Sequence, residues 1–163
     1  MKKILAVLLS ALMMFSVVGC SSEKRDPVLS EDLTKVLETV YERADLSDDF
    51  REALQHYQVT EIDAESGQAF LGNAKVDFTE GVVSAPMMNA VPYELVLLRL
   101  DENADVEAAK ESLKENADPR KWLCVEAEEV VVESIDNTVL FLMASSQEAN
   151  AIKDAFMSLA EAK

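Results

Sequence analysis

Tyr93-Glu94-Leu95-Val96-Leu97-Leu98-Arg99-Leu100 decides the fold. Apart from Glu94 and Arg99, both alternating faces of this stretch are apolar, which predicts a central strand rather than a half-wetted one. Past its end, Asn103 or Asp105 can cap a helix carrying Val106, Ala109, Leu113 and Ala117, which stops before Pro119. Leu123 to Ser134 reads as a strand. Asp136-Asn137 supplies turn residues that tolerate positive φ, and Thr138 to Ala144 is an apolar run, so the two strands should form a hairpin. Ser145 and Glu148 make a capping box for a last helix with Ala149, Ile152, Phe156 and Leu159 on its inner face.

Upstream, Val76 to Ala85 reads as a strand around a turn or bulge at Gly81. Val59 to Gly72 has no clear period and reads as loop with a short strand. Ser47 caps a short helix with Phe50, Leu54 and Tyr57 on one face. Before it, Ser30 caps an amphipathic helix through Leu33, Val36, Leu37, Val40, Tyr41 and Ala44, with Glu31 and Asp32 in its first turn. The expected architecture is therefore α+β. N-terminal helices precede a mostly antiparallel four-stranded sheet with helices packed on one face, and the β-α-β-β-α run from Tyr93 is part ferredoxin-like.

The N-terminus carries a different message. Lys2 and Lys3 precede an apolar run from Ile4 to Val18, and Val17-Val18-Gly19-Cys20 has the form of a lipobox. A thiol placed there accepts a diacylglyceryl group and becomes the first mature residue. The apolar run is shorter than the roughly 20 residues of a membrane span. A plain secretory site would prefer a small-x-small ending over a cysteine. The expected division is a signal peptide over 1–19, a lipidated tether over 20–29 and a single domain over 30–163. The expected location is the extracytoplasmic face of the cell membrane, held by the anchor on Cys20. Ser21 to Leu29 is polar, contains Pro27, and spans at most about 30 Å when extended.

Charge and cysteine content narrow the function. A net charge of −16 disfavours nucleic acid and anionic lipid, both of which need basic patches. With Cys20 acylated, Cys124 has no partner for a disulfide; beside Trp122-Leu123 and Val125 it reads as a small buried hydrophobe. The chain has a single histidine, His56, which reads as a surface residue at a helix end. No P-loop, dinucleotide fingerprint, zinc spacing or nucleophile elbow is present, so no catalytic residue, metal or cofactor is expected.

Other clusters admit simple readings. Asp101, Asn103 and Asp105 open like a calcium loop, but Val106 stands where glycine is needed and Ser112 where a bidentate glutamate is needed. Turn and capping chemistry accounts for them. Glu126, Glu128 and Glu129 read as the solvated face of a strand. Asp118-Pro119-Arg120-Lys121-Trp122 reads as a helix-to-strand turn with Trp122 filling the core. Met87-Met88-Asn89 could bind a soft metal, but adjacent side chains diverge on a strand, so one core Met and one exposed Met are expected.

Glu80-Gly81-Val82-Val83-Ser84-Ala85-Pro86-Met87-Met88-Asn89, followed by an apolar strand and a charged helix, resembles an uncharacterised family of small bacterial lipoproteins, mainly Gram-positive. It is a domain of unknown function with an E-G-V-V-x-x-P-M-M-N-like segment. The resemblance also takes in the closing pair Val139–Met143 and Ala151–Phe156, and it implies location and fold without supplying catalytic residues. The functional expectation is a non-enzymatic binding or interaction module with a protein partner. Its contact surface lies within Gly81–Tyr93, on Pro86, Met87, Met88, Asn89 and Pro92. The alternative is a small-molecule or cation receptor, such as a transporter accessory, using the acidic surface.

Overall fold

The computed structural model describes residues 29–161, so Cys20 and its lipobox lie outside the described residues. Helices α1 (Leu33–Arg43) and α2 (Asp48–Leu54) lead into strand β1 (Tyr57–Ile62) and a single turn of helix, α3 (Gln68–Leu71). Then come β2 (Glu80–Pro86), β3 (Glu94–Arg99), α4 (Val106–Asn116), β4 (Glu129–Ile135), β5 (Thr138–Ala144) and α5 (Ser146–Ser158). The fold is α+β, with an open five-stranded sheet of order β1-β2-β3-β5-β4 and antiparallel neighbours throughout.

As the sequence of β3 requires, this strand lies at the centre of the sheet. Leu97 pairs with Val82 and Leu140, and that row faces α1 and α5. Val96 pairs with Val83 and Phe141, and that row faces α4 and Trp122. Helices thus cover both faces, which corrects the expectation of helices on one face. Every residue of β5 is buried, so neither side of the sheet centre could be left wet. The ferredoxin-like expectation also stops short. Strand β5 lies between β3 and β4, as in a split β-α-β unit, yet α4 and α5 pack on opposite faces.

The fifth strand, β1, corrects the expected count of four. Gln58 to Glu61 are exposed on both faces, so no hydrophobic alternation marks the strand, and Tyr57 belongs to it rather than to α2. Backbone pairing with β2 holds it in place. Gly81 lies inside β2 and makes no turn. A Cβ there would meet Ile62 Cγ1 at 2.8 Å and Phe78 at 2.9 Å, so glycine permits the close approach of β1.

The N-cap of α1 is Asp32, not Ser30, and its carboxylate accepts from Thr34 N at 2.8 Å. The start of α1 is stapled to the sheet: Leu33 N donates to Glu80 Oε1 at 2.8 Å, and Arg99 donates to the Leu29 carbonyl at 2.6 Å. Ser47, Asp105 and Ser145 cap α2, α4 and α5 through their side chains. The expected strand from Leu123 begins only at Glu129. Residues 117–128 form an irregular connection, tied down by Ala127 N to the Pro119 carbonyl at 2.8 Å. Within it Cys124 is exposed with φ of 61°, correcting its assignment to the core, while Trp122 is buried.

Candidate functional site

At one end of the sheet, residues 87–93 carry the chain from β2 to β3. Because β2 ends at Pro86, strand alternation no longer separates Met87 from Met88. Both side chains are exposed, at 73% and 71%, which corrects the expected division into one core and one surface methionine. Large apolar side chains left this wet side by side are unusual unless they contact something else.

Beside them lies a pocket of about 800 Å³. Ser47, Asp49, Phe50 and Ala53 form one wall from α2 and its cap, and His56 and Tyr57 come from the entry to β1. Pro86, Met87, Met88, Val91, Pro92 and Tyr93 form the opposite side, and Ser145 and Glu148 close it from the start of α5. The pairing of Tyr57 with Pro86 brings the helix-end residues against the methionine turn.

Three rings build the apolar wall. Phe50 stands edge-on to Tyr57 and Tyr93, with centroids 6.0 and 5.3 Å away, and Tyr57 and Tyr93 lie 5.2 Å apart. Beneath them the Tyr93 and Tyr41 hydroxyls share a hydrogen bond of 2.8 Å. Burial pushes the Tyr41 phenol up to about 12 and the Tyr93 phenol well above the usual tyrosine range. Tyr57 is raised too, first by burial and then by the Glu148 carboxylate. All three are neutral hydroxyls at physiological pH.

On the other side of the same turn is a smaller hollow of about 350 Å³, bordered by Phe70, Asn89, Glu94, Lys121 and Trp122. Lys121 Nζ lies 2.6 Å from both oxygens of buried Glu94 and 5.4 Å from the centre of the Trp122 ring. Burial raises the Glu94 carboxyl, and the Lys121 ammonium opposes that rise. Leu123 N donates to the Asn89 carbonyl at 3.0 Å, joining the 117–128 connection to the methionine turn.

Of the residues singled out in the sequence, Pro86, Met87, Met88 and Pro92 line the larger pocket, while Asn89 belongs to the smaller hollow. His56 also lines the larger pocket, but Cys124 borders neither. The acidic clusters serve structure. Asp101 accepts from Asn103 N at 3.0 Å and Asp105 from Ala108 N at 3.0 Å. Glu128 and Glu129 lie at the start of α5, Glu128 accepting from Ser146 N at 2.8 Å and Glu129 from the Ser146 hydroxyl at 3.1 Å. Hydrogen bonding from Ser146, its backbone N–H first, holds the Glu128 carboxyl below its ordinary range. Among the described residues, no group of three or more His, Cys, Asp or Glu side chains could hold a metal ion.

Sequence reasoning missed Phe50 and Tyr57 as partners of the methionine turn, because their meeting depends on the pairing of β1 with β2. The Glu94–Lys121 pair had a usable signal. A lone carboxylate in an otherwise apolar central strand needs a cation, and Arg120-Lys121-Trp122 was the basic spot nearest the core. No family model, no curated protein and no solved structure matches the chain.

Proposed function

We propose that the chain is a lipid-anchored binding module on the extracytoplasmic face of the membrane, non-enzymatic, with the methionine turn and its adjoining pocket as the recognition site. The anchor rests on the lipobox ending at Cys20, and the resemblance of Glu80–Asn89 to small lipoproteins agrees with it. No helix among the described residues is long and apolar enough to cross a membrane. One observation carries the binding reading: two adjacent, exposed methionines stand over an apolar pocket whose size suits a small ligand or a cluster of partner side chains.

The pocket favours recognition of an apolar group over a receptor for bare cations on the acidic surface. Asp101 and Asp105 are engaged in turn and cap, and Glu128 and Glu129 in the start of α5. A binding module also fits the dispersal of reactive groups, since His56 lines the pocket and Cys124 does not.

The test is photo-crosslinking from position 88 of the lipidated protein in its own membrane, repeated with Met87→Asp/Met88→Asp. One recurrent adduct, lost in the double variant while its melting temperature stays unchanged, is the expected result. Adducts that are equally abundant in the variant would remove the methionine turn from the recognition site. A mature N-terminus without a diacylglyceryl group on Cys20, read by mass spectrometry, would separately overturn the anchor.

A further inference from the structure

Resting on that reading of the pocket, we propose that it selects a small amphiphilic cation, an apolar body bearing a positive charge, over an anion of the same shape. The charged side chains that line it are Asp49 and Glu148; no lysine or arginine lines it, and the whole chain carries −16. A cation held here keeps its apolar body against Phe50, Tyr57 and the two methionines, surfaces that are polarizable and, in the rings, electron-rich on their faces.

The Glu148 carboxylate is close enough to be felt at the hydroxyls of Tyr57 and Tyr93, so its field reaches into the pocket. The start of α5, which could otherwise attract an anion, is partly occupied from within the chain. Ser146 N is bonded to the Glu128 carboxylate at 2.8 Å and Glu148 N to the Ser145 hydroxyl at 3.5 Å. An anionic ligand would therefore meet two carboxylates, at a helix end where two backbone N–H groups are already engaged. A volume of about 800 Å³ accommodates a ligand of drug-like size.

Tetraphenylphosphonium and tetraphenylborate have nearly the same shape and opposite charge, so they separate the charge requirement from the apolar one. Titration calorimetry is run on the full mature chain in a neutral detergent, against a detergent-only blank, at physiological ionic strength. The cation is expected to bind at least about tenfold more tightly than the anion, as two carboxylates at partly hydrated distances would produce. Asp49→Asn/Glu148→Gln should lose most of that preference. Glu65→Gln/Glu115→Gln, with the same change in net charge away from the pocket, should keep it.

Equal binding of both probes, reduced by Phe50→Ala, would overturn the cation preference and leave an apolar pocket standing. Equal loss of preference in the two double variants would also overturn it, by tracing the effect to overall charge. Binding of neither probe, at concentrations where the cation partitions into membranes, would overturn the preference and the pocket reading together.

Discussion

Glu94 is buried with one cationic partner, Lys121, which is itself a quarter exposed. The two ends of this pair are therefore not equivalent. Glu94→Gln removes the desolvated charge and leaves Lys121 able to hydrate, so its cost at pH 7 should stay within about 1 kcal/mol. Lys121→Met strands the carboxylate, and should cost about 2–3 kcal/mol, less than a fully trapped charge because Glu94 can take up a proton. The pH dependence has a definite sign. With its folded pKa raised above the unfolded value of 4.5, the Glu94 carboxyl contributes stability that is fully present below that value. The contribution is lost as pH rises through the raised folded value. Urea unfolding between about pH 4 and 7 should show this falling contribution in the parent and its absence in Glu94→Gln. Equal costs for the two substitutions would refute the asymmetry. At this scale the sequence showed which residues were odd, Glu94, Met87 and Met88 among them, but not what each would touch.

Strand β1 and helix α5 show two ways an element is specified. The capping box and the apolar positions of α5 lie within one short stretch, so the helix was legible in full. Ser145→Ala should cost about 0.5–1 kcal/mol, the lower part of the usual range, because the Ser145–Glu148 bond is long at 3.5 Å. By contrast, β1 has exposed residues on both faces and exists because β2 offers it a free edge. The signal for it was Gly81, read as a turn or bulge although it clears space for Ile62. Gly81→Ala should cost about 1–3 kcal/mol, since the added methyl meets Ile62 Cγ1 at 2.8 Å and the Ile62 carbonyl at 3.2 Å. Chemical denaturation of the two variants checks the order, and a larger loss for Ser145→Ala than for Gly81→Ala would contradict this account of β1. The end of β2 mattered as well: once the strand stops at Pro86, alternation ceases and both methionines reach solvent.

Across the whole molecule, the two hydrophobic cores are back-to-back layers sharing β2, β3 and β5. Leu97 faces one core and Leu98 the other, and both are fully buried. Leu97→Ala and Leu98→Ala should each cost about 2–5 kcal/mol and each lower a single common unfolding transition, because neither layer can separate while the central strands hold. Circular dichroism and tryptophan fluorescence, the latter reporting Trp122 on one layer, should melt together in both variants. Two separated transitions would contradict the shared-sheet account. The sequence by itself determined the class of fold, the central strand, the hairpin and the helices with local caps, since those depend on periodicity and short-range hydrogen bonding. It also carried the lipobox that motivates the proposed anchor. Only the tertiary structure decided the fifth strand, the covering of both sheet faces and the joining of Phe50, Tyr57, Met87, Met88 and Tyr93 around one pocket. Those features arise from pairing between distant segments, whose partners are selected by backbone hydrogen bonds and shape that no local pattern encodes.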